Sequence, residues 1–189
     1  PLGNGNRWPQ RFSVVVKAAD TRFEVEVEMS QDADEMKFRI PDIVAEAIAK
    51  GERPVIYPDS DGRGYGLFTL PPAMLEALLE EMATKPNPGK LSPSGELATW
   101  MNLNENRLAG NIDDKSWSDA LVAALRRAND PLLGSMLVGA LGSVASDMEG
   151  EQRWALEKEM LKIAQDHSLK SCRTEMLRVL AAVGSEPGV

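Results

Sequence analysis

The sequence contains an internal repeat, and this repeat constrains the fold more than any other feature. Residues 121–146 and 157–182, offset by 36, share seven identities in 26 pairs. Apolar residues in both copies recur at intervals of three and four, which is typical of amphipathic helices. Each copy therefore predicts a helix, a turn and a second helix. Because one helical hairpin cannot bury its apolar stripe alone, we expect the two hairpins to pack side by side and leave an extended surface. The identical pairs are Leu125/Leu161, Ala128/Ala164, Asp130/Asp166, Leu133/Leu169, Ser135/Ser171, Leu141/Leu177 and Ala145/Ala181.

A turn at 129–131 joins the two helices of the first copy. Asp130 suits an N-cap, and Pro131 suits the first helical position. The region 117–184 resembles HEAT-type helical repeats, whose helices often join through an Asp-Pro turn followed by a basic residue. It departs from that pattern at Gly134 and His167, while Lys170 matches it. Two units are fewer than a free-standing solenoid usually needs, so a non-repetitive helical bundle stays an alternative.

The N-terminal part alternates in the manner of half-buried strands. Residues 12–16 and 22–29 predict an antiparallel hairpin with a face of Glu24, Glu26 and Glu28, which we interpret as solvated, with a surface for a cation or a basic peptide as the alternative. Residues 36–40 predict a third strand, whose Lys37 and Arg39 would pair with those glutamates. Helices are expected from Pro41 to Gly51 and after Pro72, the second with Glu81 facing outward. The loop 58–66 separates two short apolar runs, Val55-Ile56-Tyr57 and Leu67-Phe68-Thr69.

These patterns predict an α+β fold, with a small antiparallel sheet and two helices followed by an all-α domain of helical hairpins. We divide the chain into a tag remnant and tail (1–11), an α+β domain (12–83), a linker rich in proline and glycine (84–95) and an α-helical domain (96–189). Pro1-Leu2-Gly3 resembles the residue of a cleaved expression tag, so we expect the native N-terminus to lie elsewhere.

Charge narrows the classes of partner. The net charge of −8 disfavours nucleic acid, which requires a basic patch. The first 83 residues hold 9 basic and 15 acidic side chains, net −6, which favours a basic protein partner for this part. The longest uncharged run, 131–146, is too short to span a bilayer, so no membrane partner is expected. With one cysteine and no secretory signal we expect a cytoplasmic protein, and an exported effector stays an alternative.

Candidate chemistry is sparse. The loop 58–66 fails as an EF-hand because Arg63 stands at the fifth position, and it lacks a phosphate-binding motif. It is interpreted as a glycine-rich hairpin turn, or as a binding loop with Arg63 and Tyr65 at its tip. His167 and Cys172 are the only residues of their types, and Cys172 falls on the apolar stripe, so we expect an inert thiol and no catalytic dyad. No cofactor or metal is expected.

Tryptophans and small residues complete the candidates. Trp100, Trp117 and Trp154 are candidate partner-binding anchors, because tryptophan is enriched in binding hot spots. Ser135, Gly139 and Ser143 lie four apart, a spacing that predicts close packing between the hairpins, with self-association as the alternative.

We therefore expect a non-catalytic adaptor that binds a protein through its helical surface or sheet edge. A hydrolase or transferase using carboxylates and Arg63 at the domain junction, and a self-assembling structural or viral/phage protein, are the alternatives. Leu141 and Leu177, equivalent in the repeat, are both expected in the core.

Overall fold

The structure is a computed structural model that describes residues 9–30, 37–166 and 168–184. The predicted α+β class is confirmed: a small antiparallel sheet precedes a helical region. The elements in chain order are β1 (Gln10–Ala18), β2 (Thr21–Met29), α1 (Asp42–Ala49), β3 (Val55–Tyr57), α2 (Pro72–Thr84), a short 3-10 helix (Pro88–Lys90), α3 (Pro93–Leu108), α4 (Asp114–Leu125), α5 (Pro131–Asp147), α6 (Gly150–Asp166) and α7 (Lys170–Val183).

The sheet has the order β2-β1-β3, with β1 antiparallel to both neighbours. Strands β1 and β2 form the predicted hairpin, and Ala19 in its tight turn has a φ of 50°. Alternate residues of β1, with Val27 and Val44, form a buried apolar cluster, because helix α1 covers this face of the sheet. The row of glutamates on the opposite face of β2 is exposed, as the alternation predicts.

The predicted third strand is wrong. Residues 37–40 have no regular structure, and Met36 lies outside the described residues. Phe38 is 40% exposed, and Arg39 pairs with Asp42 (2.8 Å) at the start of α1 instead of reaching the glutamate row. Alternation over so few residues did not specify a strand, since in the described part of the chain this segment pairs with no strand of the sheet β2-β1-β3.

The proline-rich segment after α2 is part of the packed structure. Pro88 and Gly89 are buried, and Arg22 Nε donates a hydrogen bond to the Gly89 carbonyl (2.9 Å). Contacts divide the chain into two compact units, one of the described residues up to Glu81 with Asn87–Asn106, the other of Met82–Pro86 with the described residues from Arg107. This division places most of α3 with the sheet, whereas the sequence assigned it to the helical domain. The domain limits at 83 and 95 stay a prediction.

The helical unit contains two helical hairpins, α4–α5 and α6–α7, and α5 packs against α7. Helix α5 approaches α7 most closely at Gly134 and Gly142, and not at the predicted Gly139. A Cβ at Gly134 would lie 2.3 Å from Cys172 Sγ, and one at Gly142 would lie 2.7 Å from Val179 Cγ1. Of the predicted residues, Ser135 donates a hydrogen bond to Glu175 of α7 (3.0 Å), but a Cβ at Gly139 would have nothing within 4 Å, so the tightest contact lies one residue away from the predicted stripe. Among the described helices, none is long and apolar enough to cross a membrane.

Leu141 and Leu177 differ in burial although the repeat makes them equivalent. Leu141 is 0% exposed, as expected, but Leu177 is 50% exposed, so its prediction as a core residue is wrong. The reason is that α5 buries a wide face that includes Leu141, whereas α7, which packs against α5 and α6, buries only the narrow stripe of Cys172, Met176 and Leu180. In α7 the residues equivalent to Gly134 and Gly142 are Lys170 and Arg178, and both are exposed. Because these long side chains stand in place of glycines, a further hairpin stacked on α7 could not approach it as closely as α7 approaches α5.

Candidate functional site

The loop between β3 and α2 is organised by Asp59, which is 8% exposed. Asp59 Oδ1 accepts a hydrogen bond from the Gly64 amide (2.9 Å), and its carbonyl accepts one from Gly62 (3.3 Å). The Ser60 amide donates to the Ser13 carbonyl of β1 (2.8 Å), which fixes the loop to the sheet. A Cβ at Gly64 would lie 2.5 Å from the Phe68 ring, so this position requires glycine. The first half of the loop is therefore anchored.

The second half of the loop is held by asparagines of α3. Asn102 accepts from the Phe68 amide (3.0 Å) and donates to the Phe68 carbonyl (3.1 Å), and Asn106 donates to the same carbonyl (3.0 Å). These side chains supply the hydrogen bonds that a neighbouring strand would otherwise supply. Residues 67–69 do not form a strand, so the loop 58–66 is not a hairpin turn. The Phe68 ring meets Phe12 edge to face, with centroids 5.1 Å apart. Neither asparagine was predicted from the sequence, because their only signal is a pair of weak helix formers four residues apart within a helical pattern.

Arg63 lies at the tip of the loop between two carboxylates. Its Nε donates to Asp61 (2.7 Å) and its guanidinium also contacts Glu26 (3.1 Å), which in turn pairs with Arg11 (2.5 Å). Burial alone would raise the pKa of Asp61, but hydrogen bonds from Arg63 and Ser13 outweigh burial and lower this pKa to about 2. The hydrogen bond from Arg11 is the main cause that lowers the pKa of Glu26. The four groups form an exposed network in which both arginines are already paired.

Tyr65 follows this network and is the most exposed large hydrophobic residue described, at 79%. Its amide donates to Gln10 Oε1 (2.7 Å), so the backbone is fixed to β1 while the ring stands free. Tyr65 lines two hollows, one of about 470 Å³ and one of about 450 Å³. The first is lined by the loop and by Ala98, Met101, Asn102 and Glu105 of α3; the second is lined by Pro9, Gln10, Arg11, Arg63 and Tyr65. The structure thus brings Arg63 and Tyr65 together at one surface.

The three tryptophans proposed as anchors fall in different environments. Trp100 is 0% and Trp117 is 1% exposed, because each faces the interior of its own unit. A partner cannot reach either ring in this structure, and the assignment of these two as anchors is corrected accordingly. Trp154 on α6 is 44% exposed and stays a candidate.

A second polar cluster, which the sequence did not predict, lies in the sheet-containing unit. Glu81 is 8% exposed rather than outward facing, because it forms an ion pair with Lys17 of β1. Burial and the nearby Glu81 carboxylate raise the pKa of Tyr57, whose ring packs on Gly89. Since Tyr57 and Glu81 are both buried, we assign this cluster a role in packing.

Among the residues that the structure describes, few groups are able to perform chemistry. Cys172 is 2% exposed, and burial raises the pKa of its thiol, which disfavours the reactive thiolate. His167 lies outside the described residues. Burial also raises the pKa of Asp59, but Asp59 and Asp61 both accept hydrogen bonds from their own loop. Within the described ranges no group of three or more His, Cys, Asp or Glu side chains is arranged to hold a metal ion.

Comparisons with models of protein families, with curated proteins and with solved structures found no match for this chain. The interpretation of the site therefore depends on its geometry.

Proposed function

We propose that this chain is a non-catalytic protein-interaction module that binds a segment of a partner protein at Tyr65. The observation that supports this most is an aromatic ring, 79% exposed, on a loop whose backbone is hydrogen-bonded on both sides of it. Exposed tyrosines in such settings are frequent binding hot spots, since they offer a large contact area with few rotatable bonds.

The loop is already ordered in the absence of a partner, so little conformational entropy of its main chain is lost on binding. Asp59, Asn102 and Gln10 fix the main chain before and after the ring, so binding has to immobilise mainly the Tyr65 side chain. Ordering one such side chain costs about 0.5–1.5 kcal/mol, far less than ordering a whole loop.

The surroundings of Tyr65 suggest the chemistry of the segment. Leu67 (48% exposed) and Met101 (64% exposed) line the hollow beside α3, which suits an apolar side chain of the partner. Arg11 and Arg63 are paired with carboxylates, and the first 83 residues carry a net charge of −6. We therefore propose that the partner segment is basic and not acidic.

The helical unit is proposed as a second contact surface on a HEAT-like scaffold. Its two hairpins pack side by side, and Trp154 is half-exposed on α6. Self-association is the alternative for this unit, favoured by the exposure of Leu132 (64%) and Leu177 (50%). Light scattering across a concentration series distinguishes the two, because only self-association increases the mass with concentration.

Selection of peptides from a displayed random library on the intact protein tests the proposal. We expect enriched peptides with an apolar anchor, whose affinity falls by about 2 kcal/mol or more with Tyr65→Ala. Ile43→Ala, at a 63% exposed position of α1 outside both proposed surfaces, is the matched control and should leave their binding unchanged. Enriched peptides that bind Tyr65→Ala as tightly as the wild type, or a library that yields no binder, would refute the proposal.

A further inference from the structure

The outer edge of β2 is an unpaired strand edge. Strand β2 lies at the end of the order β2-β1-β3 and pairs with β1 along all nine of its residues. The tight turn makes Ala18 and Thr21 the closing hydrogen-bonded pair, so every second residue of β2 directs its backbone groups toward β1. The intervening residues, Arg22, Glu24, Glu26 and Glu28, direct theirs away from β1. No residue in the described part of the chain forms a backbone hydrogen bond with these four.

This edge lacks most of the features that prevent strand addition. Its register runs without a bulge from Gln10↔Met29 to Ala18↔Thr21, and it contains no proline. In the part of the chain that the structure describes, its protective feature is the row of glutamates, in which Glu24 pairs with Arg22 (2.7 Å) and Glu26 pairs with Arg11 and Arg63. In an antiparallel pairing with β2 of a second copy, centred on Val25, Glu24 would stand opposite Glu26, and like charges opposite one another destabilise the pair. The charges therefore disfavour a second copy of this chain and favour a strand of opposite charge.

We propose that the edge of β2 binds an extended segment of a basic partner protein, in which lysine or arginine alternates with apolar residues, as an additional antiparallel strand. The basic residues would occupy the hydrogen-bonded positions opposite Glu24, Glu26 and Glu28. The apolar residues would then point to the other face, beside the half-buried Phe23 and Val25. Phe38, 40% exposed and with its ring centroid 6.4 Å from that of Phe23, extends the apolar surface there.

This inference goes beyond the proposed function, because the β2 edge is separate from the ring of Tyr65 and does not require it. The two surfaces share the contacts of Glu26 with Arg63 and with Arg11. Glu26 is therefore left unchanged in the test, and binding to the edge is also measured with Tyr65→Ala. Retained binding to that variant would show that the edge acts independently, whatever the outcome at Tyr65.

A matched pair of peptides separates strand pairing from simple charge attraction. The probe is a capped peptide of alternating lysine and valine, equal in length to the nine residues of β2, and labelled for fluorescence anisotropy. In the proposed pairing the lysine amides donate to β2 and the valine amides face away. Methylation of the lysine amide nitrogens should therefore weaken binding by more than about tenfold, because each lost hydrogen bond leaves a carbonyl of β2 unpaired. Methylation of the valine amide nitrogens should leave the affinity nearly unchanged.

Protein variants test the same geometry from the other side. Reversing two charges with Glu24→Lys and Glu28→Lys should weaken binding by about tenfold or more. Glu24→Pro removes one outward-facing amide and leaves the pairing with β1 intact, since proline is tolerated where the edge faces solvent. It should also prevent strand addition, and circular dichroism checks that each variant is folded. Equal affinity of the two methylated peptides, or no binding of the unmethylated peptide, would overturn the proposal.

Discussion

Replacing Leu141 and Leu177 by alanine compares two positions that the repeat makes equivalent and that the structure buries differently. Leu141 is 0% exposed between packed helices, so Leu141→Ala removes contacts and leaves a cavity. We expect a loss of about 2–5 kcal/mol in the free energy of unfolding. Leu177 is 50% exposed. Leu177→Ala should therefore lose only half of the transfer free energy of the removed groups and leave no cavity, a loss of roughly 1 kcal/mol in the free energy of unfolding. The higher helix propensity of alanine reduces this loss slightly.

The assay is urea unfolding followed by far-UV circular dichroism and by tryptophan fluorescence. Trp117, buried, and Trp154 lie in the helical unit and report on its unfolding, whereas the buried Trp100 reports on the other unit. The slope with denaturant should be unchanged for both variants, because neither alters the surface exposed on unfolding by much. With two compact units the transition can separate into two steps, and the comparison is then made on the step that Trp117 reports. Equal losses at the two positions, or a larger loss for Leu177→Ala, would refute the burial argument.

Three further predictions concern single groups in either unit. Gly139→Ala should stabilise the protein by about 1 kcal/mol, because alanine has the higher helix propensity. Gly142→Ala should instead destabilise it, because the new Cβ would lie 2.7 Å from Cγ1 of Val179 in α7. Thermal melts compare the two variants. Arg107 is buried and pairs with the half-exposed Asp114 (2.7 Å) and Asp147 (2.6 Å), so Arg107→Ala should lower the free energy of unfolding by roughly 2–3 kcal/mol. Arg107→Met keeps the apolar stem and should lower it by less. Similar losses for the two variants in urea unfolding would contradict this. The folded-state pKa of Asp61, about 2, lies below its ordinary 3.8, so its contribution to stability is present above pH 4 and is lost as pH falls toward 2. Carboxyl NMR titration measures that pKa directly, and a midpoint near 3.8 would show that the contact with Arg63 does not persist in solution.

The surface at Tyr65 was predictable only in part. Its place in a glycine-rich loop indicated a turn, and the neighbouring Arg63 marked the tip. Nothing in the sequence showed that Asn102 and Asn106 would hold the far side of that loop, because side chains that bond a main chain more than 30 residues away leave no periodic signal. The burial of Glu81 was missed for a related reason, since its partner Lys17 lies in a distant strand.

The sequence by itself determined the elements whose pattern is local and long: the first hairpin with its glutamate face, the helix after Pro41, and the four helices of the repeat. Hydrophobic periodicity encodes which face of a helix or strand is apolar, and this information is complete within each segment. Only the tertiary structure decided how many sides of each element are covered. That is why Leu141 and Leu177 share a sequence position but differ in exposure, why Gly142 rather than Gly139 lies at the contact with α7, and why Tyr65, rather than Trp100 or Trp117, remains accessible to a partner.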